Sequence, residues 1–142
     1  MANTARCLAL ATPLVLALVM PAAAQTSGDI SMGKRLYQEK ATCSECHGWA
    51  GNGAGDPFSP GKAANLHETR LNREQLIEVI ACGRPGTEMP HFDKYAYEDT
   101  DCYGLKGKDL GTAAPRYPHS TPLTRREIEA VADYIIATFV GK

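Results

Sequence analysis

An all-α domain with three main helices and long connecting loops is the fold class this sequence predicts. Three observations predict it. The last twenty residues carry apolar side chains at helical spacing behind a capping pair, and a second capped helical pattern runs from Asn72 to Gly83. Between a first helical pattern and a glycine-rich stretch lies Cys43-Ser44-Glu45-Cys46-His47, a motif that sets what the loops must enclose.

The chain opens on a segment that reads as an export signal. Arg6 supplies a positive start, and Leu8 to Met20 is an apolar run of thirteen residues containing Pro13, too short to span a membrane. Small residues at Ala22-Ala23-Ala24 offer a cleavage site, so the mature chain is expected to begin at Gln25 and to keep 118 of the 142 residues, one ordinary domain. Cys7 lies before the apolar run and is lost with it. The segment that remains holds 14 Lys and Arg against 16 Asp and Glu, a formal charge of −2 that gives no reason to expect nucleic acid or a polybasic membrane contact. No stable membrane insertion is expected, and no phosphate-binding glycine loop is present.

The first helix is predicted from an Asp29 cap to about Lys40, with Ile30, Gly33, Tyr37 and Ala41 along one face. Gly33 is an odd choice there, because glycine costs a helix interior ~1 kcal/mol relative to alanine. Close approach of another helix over that point would compensate.

Next comes the cysteine motif. Two thiols three positions apart, with a histidine directly after, form an attachment site for a c-type haem. The sulfurs add across the two vinyl groups of the porphyrin, and the adjacent imidazole is carried under the ring, where a free nitrogen can bind iron. A thioredoxin-type dithiol would open a helix after a strand. Here the pair follows a helix and runs into Gly48, Gly51, Gly53 and Gly55. A zinc site would need a second closely spaced ligand pair, and Cys82 and Cys102 lie twenty residues apart.

Residues 48 to 70 show no sustained period and read as a loop wrapped over the haem. The second helix follows, capped by Asn72 with Gln75, striped by Leu76, Val79 and Ile80, and stopped by Gly83. The turn-rich Arg84-Pro85-Gly86-Thr87-Glu88-Met89-Pro90 cannot be helical throughout. The final helix starts from Thr124 and Glu127. It places Ile128, Val131, Ala132, Ile135 and Phe139 on one face, and Gly141 is its expected end.

These motifs together resemble the class I, mono-haem cytochrome c family. The resemblance runs from about Gly28 to Phe139 and rests on Gly33 with Leu36-Tyr37, on Cys43-Ser44-Glu45-Cys46-His47-Gly48, on Asn65-Leu66, on Met89-Pro90 with Phe92, and on Asp133-Tyr134-Ile135. It implies a cytochrome c fold around one covalently bound haem c, with the first and last helices crossing near Gly33. It also implies His47 and Met89 as the axial iron ligands. A thioether opposite histidine suits low-spin iron and raises the potential relative to bis-histidine ligation. His91 is the main rival to Met89, with His67 and His119 behind it, and a gap-filling core methionine is the plain alternative. Family members often carry a proline just before the Asn-Leu pair, at the residue whose carbonyl accepts from the proximal histidine. Here that residue is Ala64. A backbone carbonyl can still serve.

The stretch from Asp93 to about Pro122 is longer than the family's link between methionine loop and last helix. It holds four tyrosines, four acidic residues between Asp93 and Asp101, and Cys102. Two readings stand: a flap over haem pinned by a disulfide, or a partner-docking surface. Export to an oxidising compartment, with Cys43 and Cys46 used by haem, leaves Cys82 and Cys102 to pair. Such a loop of about twenty residues adds ~3 kcal/mol on the chain-entropy model.

A six-coordinate iron leaves outer-sphere electron transfer and no substrate chemistry. The expected function is therefore that of a periplasmic electron carrier, not an enzyme. Its donor would be an exported dehydrogenase, and its acceptor an oxidase or another cytochrome. A five-coordinate haem enzyme, a gas-binding haem protein and a bound dehydrogenase subunit are the alternatives. The protein isolated after export is expected to start at Gln25 and to carry one haem that survives acid-acetone extraction. Intact-mass measurement checks both, and an extractable haem or a retained Met1 to Ala24 would refute them.

Overall fold

The computed structural model describes residues 27–58, 63–113 and 121–142. The export-signal expectation, Cys7, Tyr117 and His119 lie outside these residues. Among the described residues five α-helices occur in the order α1 (Ser27–Arg35), α2 (Cys43–His47), α3 (Arg73–Cys82), α4 (Gly107–Leu110) and α5 (Arg125–Thr138), and no strand occurs. The three predicted helices are α1, α3 and α5. The all-α class holds.

Helix α1 begins at Ser27, so Asp29 stands in its first turn and does not cap it. An acid there still complements the positive helix end, and its carboxylate lies 3.6 Å from Arg126 on α5. The helix widens into a π-helical turn over Leu36–Lys40, where the Ala41 amide donates to the Leu36 carbonyl. Leu36 and Tyr37 in this turn are both buried in the core.

Gly33 marks the crossing of α1 and α5. A Cβ on it would stand 2.0 Å from the Ala130 carbonyl oxygen and 2.6 Å from Tyr134 Cβ. Only a residue without a side chain lets the two backbones come this close, which offsets its helical cost. Next to the crossing, Tyr37, Ile128 and Val131 are fully buried. The rings of Tyr37, Tyr134 and Phe139 pack with centroids 5.5 to 5.6 Å apart in tilted and edge-on pairs, arrangements that the aromatic quadrupole favours.

Helix α3 has the expected Asn72–Gln75 capping box. Its inner face differs from the expected stripe: Ile77 is buried in the core, while Val79 is only half-buried. The cause is that α3 is covered on two sides, by α5 and by the segment after Asp93, so its buried arc is broader than one stripe. At the start of α3, Arg73 Nε and Nη2 donate to the two carboxylate oxygens of buried Asp133 on α5, at 2.6 and 3.0 Å. This fork-on-fork pair locks the α3–α5 angle, and the Asp133 carboxylate raises the Arg73 pKa. Helix α5 has its Thr124–Glu127 box and ends at Thr138. Gly141, the expected stop, lies beyond it in a left-handed conformation.

Replacing Gly33 by alanine forces α1 and α5 apart. We expect a loss of about 3 kcal/mol, the upper end for an overpacked contact, and a fall in melting temperature of roughly 10 °C or more. Thermal unfolding followed by circular dichroism checks this, and an unchanged midpoint would mean that the helices separate freely.

Candidate haem-attachment site

The motif residues form α2, a single short helix, and its entry is sharp. Thr42 adopts φ 47°, in the left-handed region. This is an uncommon and costly conformation for a β-branched residue. It turns the chain directly into Cys43. The exit is Gly48, at φ 78°, whose carbonyl accepts from the Tyr37 hydroxyl at 2.7 Å. The core tyrosine at the helix crossing thus holds the end of the motif.

The glycine-rich stretch that follows is wound back over α2. Gly53 N donates to the His47 carbonyl at 2.9 Å, Asp56 N to the Glu45 carbonyl at 2.8 Å, and Leu66 N to the Gly51 carbonyl at 2.7 Å. Space explains the composition. A Cβ on Gly55 would meet the Glu45 carbonyl oxygen at 2.3 Å, and one on Gly51 would enter the Phe139 ring at 2.7 Å. Backbone packed this tightly against backbone admits glycine and little else.

Cys43 and Cys46 are both half-buried and are not bonded to each other. Burial pushes the Cys43 thiol up to about 12. No strand precedes the pair among the described residues, so the strand-to-helix setting of a thioredoxin-type dithiol is not found there. His47 Nδ1 lies 2.9 Å from the Ala64 carbonyl oxygen. A carbonyl only accepts, so Nδ1 carries the proton and Nε2 keeps its lone pair. Burial lowers the His47 pKa, and the positive charge of Arg84 lowers it further against the opposing pull of the Ala64 carbonyl. The departure from proline at residue 64 therefore leaves the orienting bond intact. Two free thiols and a neutral imidazole with one fixed tautomer are the donor set that haem c requires.

Met89 is half-buried in the loop after α3. Its amide donates to the Thr87 hydroxyl at 3.2 Å, and its carbonyl accepts from the Arg84 amide at 3.2 Å. The rival His91 packs edge-on against Tyr97, centroids 6.3 Å apart. His67 lies elsewhere: its Nε2 faces the Ala50 carbonyl oxygen at 2.8 Å and its ring stacks near Phe139. It is a structural link between the glycine loop and the C-terminal segment.

The insert is bonded to the end of α3. Cys82 and Cys102 form a disulfide with Cα atoms 5.5 Å apart. The Tyr97 and Tyr103 hydroxyls donate to the Cys82 and Gly83 carbonyls, each at 2.7 Å. The sequence signalled the disulfide; the two tyrosine bonds and the Arg73–Asp133 pair carried no readable signal.

Fold and site together define a mono-haem c-type cytochrome. The family model described as "Cytochrome C oxidase, cbb3-type, subunit III" matches residues 28–106, and the chain belongs to that family of haem c electron-transfer proteins. Among solved structures, it is similar to a chain of a reducing HAO-like protein complex of Kuenenia stuttgartiensis, at 22% identity and a TM-score of 0.54. The match covers 80% of this chain and 44% of that one, so the chain spans less than half the length of that relative. It is also similar to the c-type cytochrome SorU of Sinorhizobium meliloti, at 20% identity and a TM-score of 0.48, covering 82% of this chain and 97% of the other. None of the curated proteins matches the sequence.

Gly55→Ala is expected to push the loop off α2 and to lower covalent haem attachment several-fold, because a Cβ 2.3 Å from the Glu45 carbonyl must displace backbone. The ratio of haem absorbance to protein after export checks this. A ratio equal to wild type would show that the loop yields without disturbing the motif.

Proposed function

We propose that this protein is a periplasmic carrier of single electrons, with residues 1–24 a cleaved signal peptide and residues 25–142 one mono-haem domain that contains the insert at 93–122. Cys43 and Cys46 hold haem c covalently, and His47 and Met89 are the axial ligands. The observation that carries the reading is the bond between His47 Nδ1 and the Ala64 carbonyl, which keeps Nε2 free for iron. Haem c, when bound, supplies an iron that alternates between ferric and ferrous states.

The remaining contributions come from the chain. Burial and the Arg84 charge favour the neutral imidazole of His47, and the Ala64 carbonyl orients it. The glycine loop is hydrogen-bonded over the motif through the Glu45 and His47 carbonyls. The Arg84–Met89 bond closes the loop that presents the thioether, and thioether ligation favours ferrous iron. With both axial positions filled, substrate chemistry is blocked, and the protein exchanges electrons with other proteins without itself being an enzyme. An exported dehydrogenase would be the donor, and an oxidase or another cytochrome the acceptor. No helix among the described residues is long and apolar enough to cross a membrane.

The family's description as an oxidase subunit favours one second reading, a cytochrome bound permanently to a larger enzyme. Co-purification at a fixed ratio would support it over a free carrier.

Met89→Ala tests the ligand set. We expect a high-spin contribution in the ferric spectrum, faster binding of cyanide and a lower midpoint potential. A wild-type spectrum and potential would make Met89 a core residue, and His91 the ligand to test next.

A further inference from the structure

The insert residue Tyr103 is bonded to the peptide that grips the Met89 loop. The peptide unit joining Gly83 to Arg84 is used at both ends: its carbonyl, on Gly83, accepts from the Tyr103 hydroxyl at 2.7 Å. Its amide, on Arg84, donates to the Met89 carbonyl at 3.2 Å. A peptide unit is planar and stiff, so fixing the carbonyl direction fixes the direction of the N–H. A hydrogen bond accepted at the oxygen also polarises the amide and strengthens the bond that its N–H donates.

The surroundings make this contact specific. Gly83 turns the chain at φ 67°, and a Cβ on it would strike the Met89 carbonyl oxygen and His91 N at 2.7 Å. The Gly83 backbone and the Met89–His91 backbone are therefore in direct contact, and a rotation of one moves the other. Tyr103 itself sits at φ 56°, a left-handed conformation that costs a bulky residue of order 1–3 kcal/mol unless the surroundings impose it. They do: Cys102 beside it is held by the disulfide, and the Tyr103 amide donates to Glu78 on α3 at 3.3 Å. Burial raises the phenol pKa, so the hydroxyl keeps its proton and remains a donor.

We infer that Tyr103 is a positioning residue for the axial methionine, acting through the Gly83–Arg84 peptide. Tyr97 provides the natural control. Its hydroxyl makes a bond of the same length, but to the Cys82 carbonyl one peptide earlier, outside the unit whose N–H meets Met89. The inference rests on Met89 being the sixth ligand.

The test compares Tyr103→Phe with Tyr97→Phe in the haem-loaded protein. Each removes one hydroxyl and keeps the ring. Three quantities are read: the thioether-to-iron charge-transfer band of the ferric form, the rate at which imidazole displaces the methionine, and hydrogen exchange at the Arg84 amide. Tyr103→Phe is expected to raise displacement and Arg84 exchange about five-fold, the effect of one ordinary hydrogen bond, and to weaken the band. Tyr97→Phe is expected to lower the melting temperature while leaving all three readouts near wild type. Equal displacement rates in wild type and Tyr103→Phe, with the band present in both, overturn the inference alone. Equal acceleration by both variants overturns it too, since the effect would then be general loosening of the insert. A wild-type protein lacking the thioether band overturns the Met89 ligation together with the inference built on it.

Discussion

Where Gly33 meets Ala130, two helix backbones approach more closely than any side chain would allow, and that contact sets the position of nearly everything else. The crossing buries Tyr37, and the π-helical turn that follows aims its hydroxyl at the Gly48 carbonyl. The end of the haem motif is thereby tied to the helix pair. From Gly48 the chain winds back through Gly51 and Gly53 to cover the motif, and Gly51 rests on the ring of Phe139 just beyond α5. One steric requirement, the absence of a Cβ at residue 33, is transmitted through an aromatic cluster to the residues of the haem-attachment motif.

His47 and Met89, the two candidate axial residues, are supported in different ways. His47 is oriented by a single bond to a backbone carbonyl, in a loop whose own amides are spent on α2. Side-chain identity at residue 64 matters little to that bond, because the acceptor is the backbone carbonyl of Ala64. Met89 stands in a loop that leaves α3 through a left-handed glycine; Arg84 and Thr87 bond it from within the loop, and further support comes from outside. The disulfide and two tyrosine hydroxyls converge on the last residues of α3, where helix carbonyls otherwise lack partners. The insert is thereby fastened to the end of α3, which leads directly into the Met89 loop.

Much of this was legible in the residues themselves. The cysteine-histidine motif, the two capping boxes and the period of α5 are local patterns, fixed by covalent spacing and by the geometry of one helix, and each is present as expected. The Cys82–Cys102 bridge was legible by elimination among few thiols. The boundaries were less so. Asp29 looked like a cap because capping residues and first-turn acids share a chemistry, and Ile77 fell outside the expected stripe because a single stripe assumes one packing partner.

The sequence by itself determined the all-α class, the haem chemistry and the candidate ligands, because each of these depends on residues close together in the chain. The tertiary structure alone decided which distant groups meet: Arg73 with Asp133, His47 with Ala64, Tyr103 with the Gly83 carbonyl. Each joins residues seventeen to sixty positions apart. Hydrogen bonds over such separations leave no period or spacing in a single sequence; they form only when packing brings their partners within 3 Å.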